Sequence, residues 1–245
     1  MEEGLIGLEQ RGALGFVRLK RPDKLNALNR AMYAELNRAI AQINSDPTIR
    51  VGIICAEGRA FSAGVDTRDV TAAIAELNGG PADSVAAQFS LDFEETECNP
   101  KPLIAAINGL CVGNGLTMAL ACDLRIAASD AQFSLPEVKV GIASVHGTLR
   151  AVQMAGLGKA LELLLTGEMR DANWAHAAGL INEIVAPDQL EPRAQALAEL
   201  IAAMPPGAIQ ATRMIANRAA LGSFDEVVQL GTSLRGKTAF RDTTR

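Results

Sequence analysis

Residues 101–127 read KPLIAAINGLCVGNGLTMALACDLRIA, and the fold is decided in this stretch. Pro102 to Ile107 is a short, wholly apolar run, the pattern of a strand buried on both faces. Gly113 and Gly115 punctuate a turn, and Leu116, Met118, Ala119 and Leu120 then follow helical spacing as far as Ala121. Asn114-Gly115 alone also fits a hairpin, but the helical spacing argues against one. Asp123 to Ala127 opens the next strand.

The same order recurs upstream. Arg50 to Cys55 (RVGIIC) predicts a buried strand, Gly58 a turn, and Phe61-Ser62-Ala63-Gly64-Val65-Asp66 a Gly-containing passage into a helix. A strand, a Gly-rich turn and a helix thus occur at Ile53 to Val70 and again at Ile104 to Ala121, which points to stacked β-β-α units. Further out, Leu5 to Glu9 and Leu14 to Leu19 predict a hairpin across Gly12. Met32, Leu36, Ile40 and Ile43 form one apolar stripe on a helix from Asn29 to Asn44, ended by Ser45-Asp46-Pro47. Residues 67–100 carry weak helical patterns interrupted by Asn78-Gly79-Gly80-Pro81, and read as a pocket-lining segment. After Pro187 the pattern is helical, with capping boxes at Asp188/Glu191 and Ser223/Glu226 and a break at Pro205-Pro206-Gly207. The expected organisation is an α/β core over residues 1–187 and a helical region over 188–245.

Of the 245 residues, 49% are apolar and 21% charged, enough to bury a large core and too few charges for disorder. Aromatics at 4% and a net charge of -5 disfavour a base-stacking, phosphate-binding surface, so no nucleic-acid partner is expected. A local basic group, Lys20, Arg21, Lys24 and Arg30, fits one small anionic ligand instead. Taken alone, such a group is more often a solvated face. The start MEEGLIGLEQ has acids where a signal peptide needs bases, and no apolar run reaches the ~18 residues of a membrane span. A cytoplasmic protein without a membrane partner is expected. Cys55, Cys98, Cys111 and Cys122 are scattered, which disfavours disulfides and a metal site.

Each Gly-rich turn is by itself most simply a turn. Together they offer more, because each exposes backbone N–H groups beside a helix start, where a developing oxyanion is favoured. At this point AFSAGVD, KPLIAAINGLCVGNG, ACDLRIAASDAQFSLPEVKVGI and the downstream LTGE and AGLINEIV resemble the enoyl-CoA hydratase/isomerase (crotonase) family over nearly the whole chain. The resemblance implies an α/β spiral of β-β-α units with a C-terminal helical trimerisation region, and a homotrimer or dimer of trimers. It implies coenzyme A as part of the substrate and no permanently bound cofactor. It maps the oxyanion-binding N–H groups onto Val65 and Asn114, where the side chain matters little, and lays Arg21 to Leu28 along the coenzyme A nucleotide. Lys24 then becomes a phosphate contact, with Leu25 and Ala27 beside it, and Ala63 and Asp66 lie near the adenine or pantetheine. Members usually continue beyond AFRDTTR into another helix that touches coenzyme A, so weaker nucleotide affinity is expected.

The departure from the hydratase pattern lies in proton handling. That pattern has two Glu residues sharing a water; here Glu137 remains, and Thr117 occupies the other position. A hydroxyl can hold water but is no general base near neutral pH. Losing a positioned base costs roughly 10²- to 10⁴-fold, which penalises hydration more than a shuttle using one carboxylate. The expectation is therefore double-bond isomerisation by Glu137, with its pKa raised in an apolar pocket, and hydration with a water near Thr117 as runner-up. Decarboxylation and thioester hydrolysis stay open, as does a non-catalytic scaffold or RNA-binding role of the fold. His146, in Ser144-Val145-His146-Gly147-Thr148, reads as a helix-start histidine, and alternatively as a second acid/base or substrate contact. Asp123 reads as an anchor for backbone N–H groups, and His176 as structural.

Overall fold

The computed structural model describes residues 4–76, 87–94, 99–220, 227–230 and 232–233. The Asn78–Pro81 interruption, Cys98 and the Ser223/Glu226 capping box lie outside the described residues. β1 (Ile6–Arg11) and β2 (Leu14–Leu19) form the expected antiparallel hairpin. Asn29 caps α1 (Arg30–Ser45), its side chain accepting from the Met32 N–H at 3.0 Å, and the buried stripe contains Met32, Leu36, Ile40 and Ile43. At the far end the Asp46 carboxylate accepts from the Thr48 N–H at 2.8 Å, turning the chain out of the helix.

The chain then winds. β3 (Val51–Ala56) lies in a six-stranded sheet and β4 (Ala60–Ser62) in a four-stranded one, followed by α2 (Thr67–Glu76). β5 (Leu103–Ile107), β6 (Leu110–Val112) and α3 (Asn114–Ala121) repeat the path. β7 (Leu124–Ala128) and β8 (Gln132–Ser134) start it again. Within each sheet the successive turns pair in parallel: β3 with β5 and β5 with β7, β4 with β6 and β6 with β8. This is the spiral of β-β-α units expected from the sequence. α4 (His146–Thr166) follows, with non-helical backbone at Gly156. β9 (Arg170–Asp171) closes the small sheet, and Asp171 caps α5 (Ala172–Ala177). β10 (Glu183–Val185) closes the large sheet beside β7.

β3 and β5 are apolar at every position because both faces are covered, and in β7 the one exception, the buried Arg125, donates to the Leu180 and Cys122 carbonyls. Val17, Ile54 and Ala105 face the cluster that contains α1 and α3. Phe16, Ile53 and Ile104 face the opposite cluster with Leu190, Ala194 and Ala198 of α6 (Leu190–Ala202). α6 does not begin with the expected capping box. Pro187–Gln189 is a single 3-10 turn, and no side chain caps α6. Glu191 instead accepts from Arg11 at 2.8 Å and Arg18 at 2.7 Å, so a tertiary ion pair takes the carboxylate that the local motif would have used. α7 (Pro206–Ala219) reaches back through Arg213, which bonds the Asp123 carboxylate; Asp123 also accepts the Leu103 N–H at 2.8 Å.

Candidate active site

Gly64 has φ of 90°, which L side chains rarely adopt, and a methyl there would lie 2.9 Å from the Val112 carbonyl and 3.4 Å from the Asn114 nitrogen. The two Gly-rich turns therefore touch. Gly115 sets the second close approach, since a Cβ would meet the Ser62 carbonyl at 2.7 Å. Val65 bridges Leu28 in a parallel pair that uses the Gly64 carbonyl and the Asp66 N–H, at 2.7 and 2.8 Å. That pairing leaves the Val65 N–H on the other side of the chain. Asn114 is the first residue of α3, where N–H groups have no acceptor within the helix. Neither N–H donates to any described residue. Two unused donors beside a helix start form a site for a developing negative charge.

The Asn114 side chain is also engaged. Its amide donates to the Tyr33 hydroxyl at 2.7 Å, and Tyr33 stands edge-on to Phe89 with ring centroids 5.7 Å apart. Sequence reasoning missed Tyr33, whose place among the buried residues of α1 gives it the signature of an ordinary core aromatic.

Glu137 opens a 3-10 turn, Glu137–Val140. The residue as a whole is half-buried, yet both carboxylate oxygens are shut off from solvent and have no hydrogen-bond partner among the described residues. Burial raises its pKa from the ordinary carboxylate value. A methyl on Gly113 would lie 3.6 Å from Glu137 Oε1, so the carboxyl stands beside the turn that carries Asn114. One helical turn further on, the Thr117 N–H donates to the Gly113 carbonyl at 3.0 Å, and Thr117 Oγ1 is likewise buried and unpartnered. The structure thus brings Val65, Asn114, Glu137 and Thr117 together.

The sequence model of the enoyl-CoA hydratase/isomerase family matches residues 9–242. The chain belongs to the enoyl-CoA hydratase/isomerase family. It is 37% identical over 216 residues to an (E)-benzylidenesuccinyl-CoA hydratase of Thauera aromatica, covering 86% of this chain and 81% of that one. It is 34% identical over 227 residues to a crotonyl-CoA hydratase of Syntrophomonas wolfei, covering 92% and 86%. A solved Thermobifida fusca structure in complex with CoA aligns with a TM-score of 0.85 at 28% identity, over 96% of this chain and 93% of that one.

In this family member the segment Arg21 to Leu28 is fastened to the first turn. The Leu25 carbonyl accepts the Ala63 N–H at 2.9 Å, and Arg21 bonds the Ala27 carbonyl at 2.8 Å and Asp66 at 2.7 Å. Leu25 and Asn26 both adopt left-handed backbone, with φ of 51° and 52°. The strain is held by the Asn26 side chain, fully buried, which accepts the Arg21 N–H and donates to the Glu57 and Ala60 carbonyls. Asn26 was the second residue that sequence reasoning missed. The basic group needs correcting as well. Arg21 is paired with Asp66, and Arg30 with Asp69 and Glu76, which leaves Lys20 and Lys24 as its exposed members. Burial pushes the Asp66 carboxyl up, but the Arg21 hydrogen bond and charge outweigh it and hold the group below its ordinary value.

His146 is exposed at the first position of α4. Cys55, Cys111 and Cys122 are free thiols in the core, where burial pushes Cys55 and Cys122 up to about 12. A cavity of about 400 Å³ lies elsewhere, between Ile49, Arg50, Lys101, Ile201, Met204 and Ile209, and includes none of the four clustered residues. No described helix is long and apolar enough to cross a membrane.

Proposed function

We propose that the chain hydrates 2-enoyl-CoA thioesters through an enolate held by the Val65 and Asn114 N–H groups, with Glu137 as the single proton carrier. The observation that carries this reading is the Glu137 carboxylate, buried and unpartnered beside the turn that presents the Asn114 N–H. The two donors polarise the thioester carbonyl. As the oxygen of water bonds to carbon 3, ionised Glu137 takes one of its protons and the double-bond electrons move onto the carbonyl oxygen. Protonated Glu137 then returns that proton to carbon 2, the carbonyl re-forms, and a 3-hydroxyacyl thioester leaves.

Thr117 in place of a second carboxylate favoured isomerisation on sequence alone. Two observations move the balance to hydration: relatives named as hydratases, and a buried Thr117 hydroxyl with no partner among the described residues, one helical turn from the Gly113 beside Glu137. Isomerisation stays as the second reading because it needs only one carboxyl, which takes a proton from carbon 2 of a 3-enoyl thioester and returns it to carbon 4. Turnover of 2-enoyl and 3-enoyl thioesters separates them. A 3-hydroxyacyl product supports hydration; conversion of the 3-enoyl thioester without that product supports isomerisation; no turnover of either removes both.

The same proposal assigns the exposed Lys24 to a coenzyme A phosphate, with Leu25, Ala27, Ala63 and Asp66 along the rest of the nucleotide and pantetheine. It includes self-association as a trimer or a dimer of trimers. Exposed apolar side chains support it, among them Val138, Val140 and Ile142 and, on α4, Leu157, Leu161 and Leu165, with Val140 69% and Leu165 68% exposed. Light scattering in solution tests this, and a monomeric mass would reject it.

A further inference from the structure

Gly147, in the first turn of α4, is buried, and two hydroxyls crowd the position that a side chain would need. A methyl there would lie 2.6 Å from Ser144 Oγ, 2.7 Å from Thr117 Oγ1 and 3.3 Å from the Leu135 side chain. The first two distances place the hydroxyl oxygens no more than about 5.3 Å apart, and one water making two hydrogen bonds of ~2.8 Å bridges oxygens up to about 5.6 Å apart. The Thr117 oxygen is buried without a partner, as are both Glu137 oxygens. Leaving buried polar atoms unpartnered is costly, and a water with several polar partners relieves that cost.

Resting on the hydration reading, we propose that Thr117 and Ser144, facing each other across Gly147, hold the water that is added to the enoyl chain, in the role a second carboxylate would otherwise fill. Neither hydroxyl removes a proton. Each orients the water so that one of its protons points at Glu137 and its oxygen at carbon 3, and Glu137 alone carries the proton. Ser144 and Thr117 are positioning residues, and Gly147, having no Cβ, lets their hydroxyls approach closely enough to share one molecule. Alanine is compatible with a helix at this position, so the steric consequence of Gly147→Ala is separable from helix propensity.

The test uses the full chain with two assays on coenzyme A thioesters. Hydration of crotonyl-CoA needs the held water. Exchange of the carbon 2 protons of butyryl-CoA with deuterated solvent needs the enolate and Glu137, without an added water. The ratio of hydration to exchange is expected to fall about tenfold in Thr117→Val and in Ser144→Ala, through kcat more than KM. Thr117→Ser, which keeps the hydroxyl, should restore most of it, and Gly147→Ala should lower the ratio at least as far as either. An unchanged ratio in Thr117→Val and Ser144→Ala overturns the clamp while leaving hydration standing. A wild-type chain that exchanges butyryl-CoA protons but adds no water to crotonyl-CoA overturns both together.

Discussion

The two halves of the site are built in opposite ways. Around the Val65 and Asn114 N–H groups the neighbouring polar groups are engaged: Ser62 donates to the Asn26 carbonyl at 2.8 Å and accepts the Gly64 N–H at 3.2 Å, and the Asn114 amide donates to Tyr33. Among the described residues, the two N–H groups are left over. Around Glu137 and Thr117 the side-chain oxygens themselves are left over, in a setting that seals them from solvent. A charge-stabilising site works by rigidity, since donors that need not reorganise stabilise a charge best. A proton carrier works by instability, since a carboxyl that is costly to ionise gives and takes a proton more readily near neutral pH.

The largest effect should come from the unsatisfied half. Glu137→Gln removes the proton carrier while keeping the shape, and kcat should fall about 10²- to 10⁴-fold. Stability should move the other way. Burial penalises the ionised form, so the stability contributed by this group is fully present below its unfolded pKa and is lost as pH rises through the raised folded value. The variant should therefore melt a few degrees above wild type at pH 8 and close to it at pH 4. The same shift predicts that wild-type kcat falls on acidification at a midpoint above the ordinary carboxylate value of 4.5. A lower melting temperature for Glu137→Gln at pH 8 would contradict the assignment of burial as the cause.

The next effect probes the rigid half. Gly64→Ala forces a methyl against the Val112 carbonyl at 2.9 Å in a backbone region that favours glycine, and so pushes the two turns apart. Losing one oxyanion donor costs about 10²- to 10³-fold in kcat. Because the enolate is common to hydration and proton exchange, both rates should fall together, whereas the hydroxyl variants change their ratio. Circular dichroism at the assay temperature separates this from unfolding.

The contrast also explains what the sequence could and could not reveal. The spiral was readable because β3, β5 and β7 are buried on both faces and so are apolar throughout except at Arg125, a signal that survives without knowing what covers them. The N–H groups were readable because backbone donors depend on glycines and helix starts, which are local. Asn26, Tyr33 and Ser144 were not, since each acts on a residue far along the chain or on a space that exists only after folding. Asn26 reaches Glu57 and Ala60, Tyr33 reaches Asn114, and Ser144 meets Thr117 across Gly147. Glu191 failed for the same reason, when Arg11 and Arg18 from β1 and β2 outbid a local capping position.

A smaller effect belongs to Tyr33, which supports the rigid half from behind. Tyr33→Phe keeps the ring against Phe89 but removes the oxygen that accepts the Asn114 amide. The backbone N–H of Asn114 remains, so the site is loosened without losing a donor. A neutral hydrogen bond contributes about 0.5–1.5 kcal/mol, which corresponds to roughly two- to tenfold in rate if all of it acts on the orientation of the turn. The expected signature is a common drop in hydration and in proton exchange, with KM unchanged. Asn114→Ala should give a similar drop, and combining it with Tyr33→Phe should add little to it, because both changes remove the same Asn114–Tyr33 bond. Additive losses would show that Tyr33 and Asn114 act separately, and the oxyanion turn would then owe its geometry to the glycines alone.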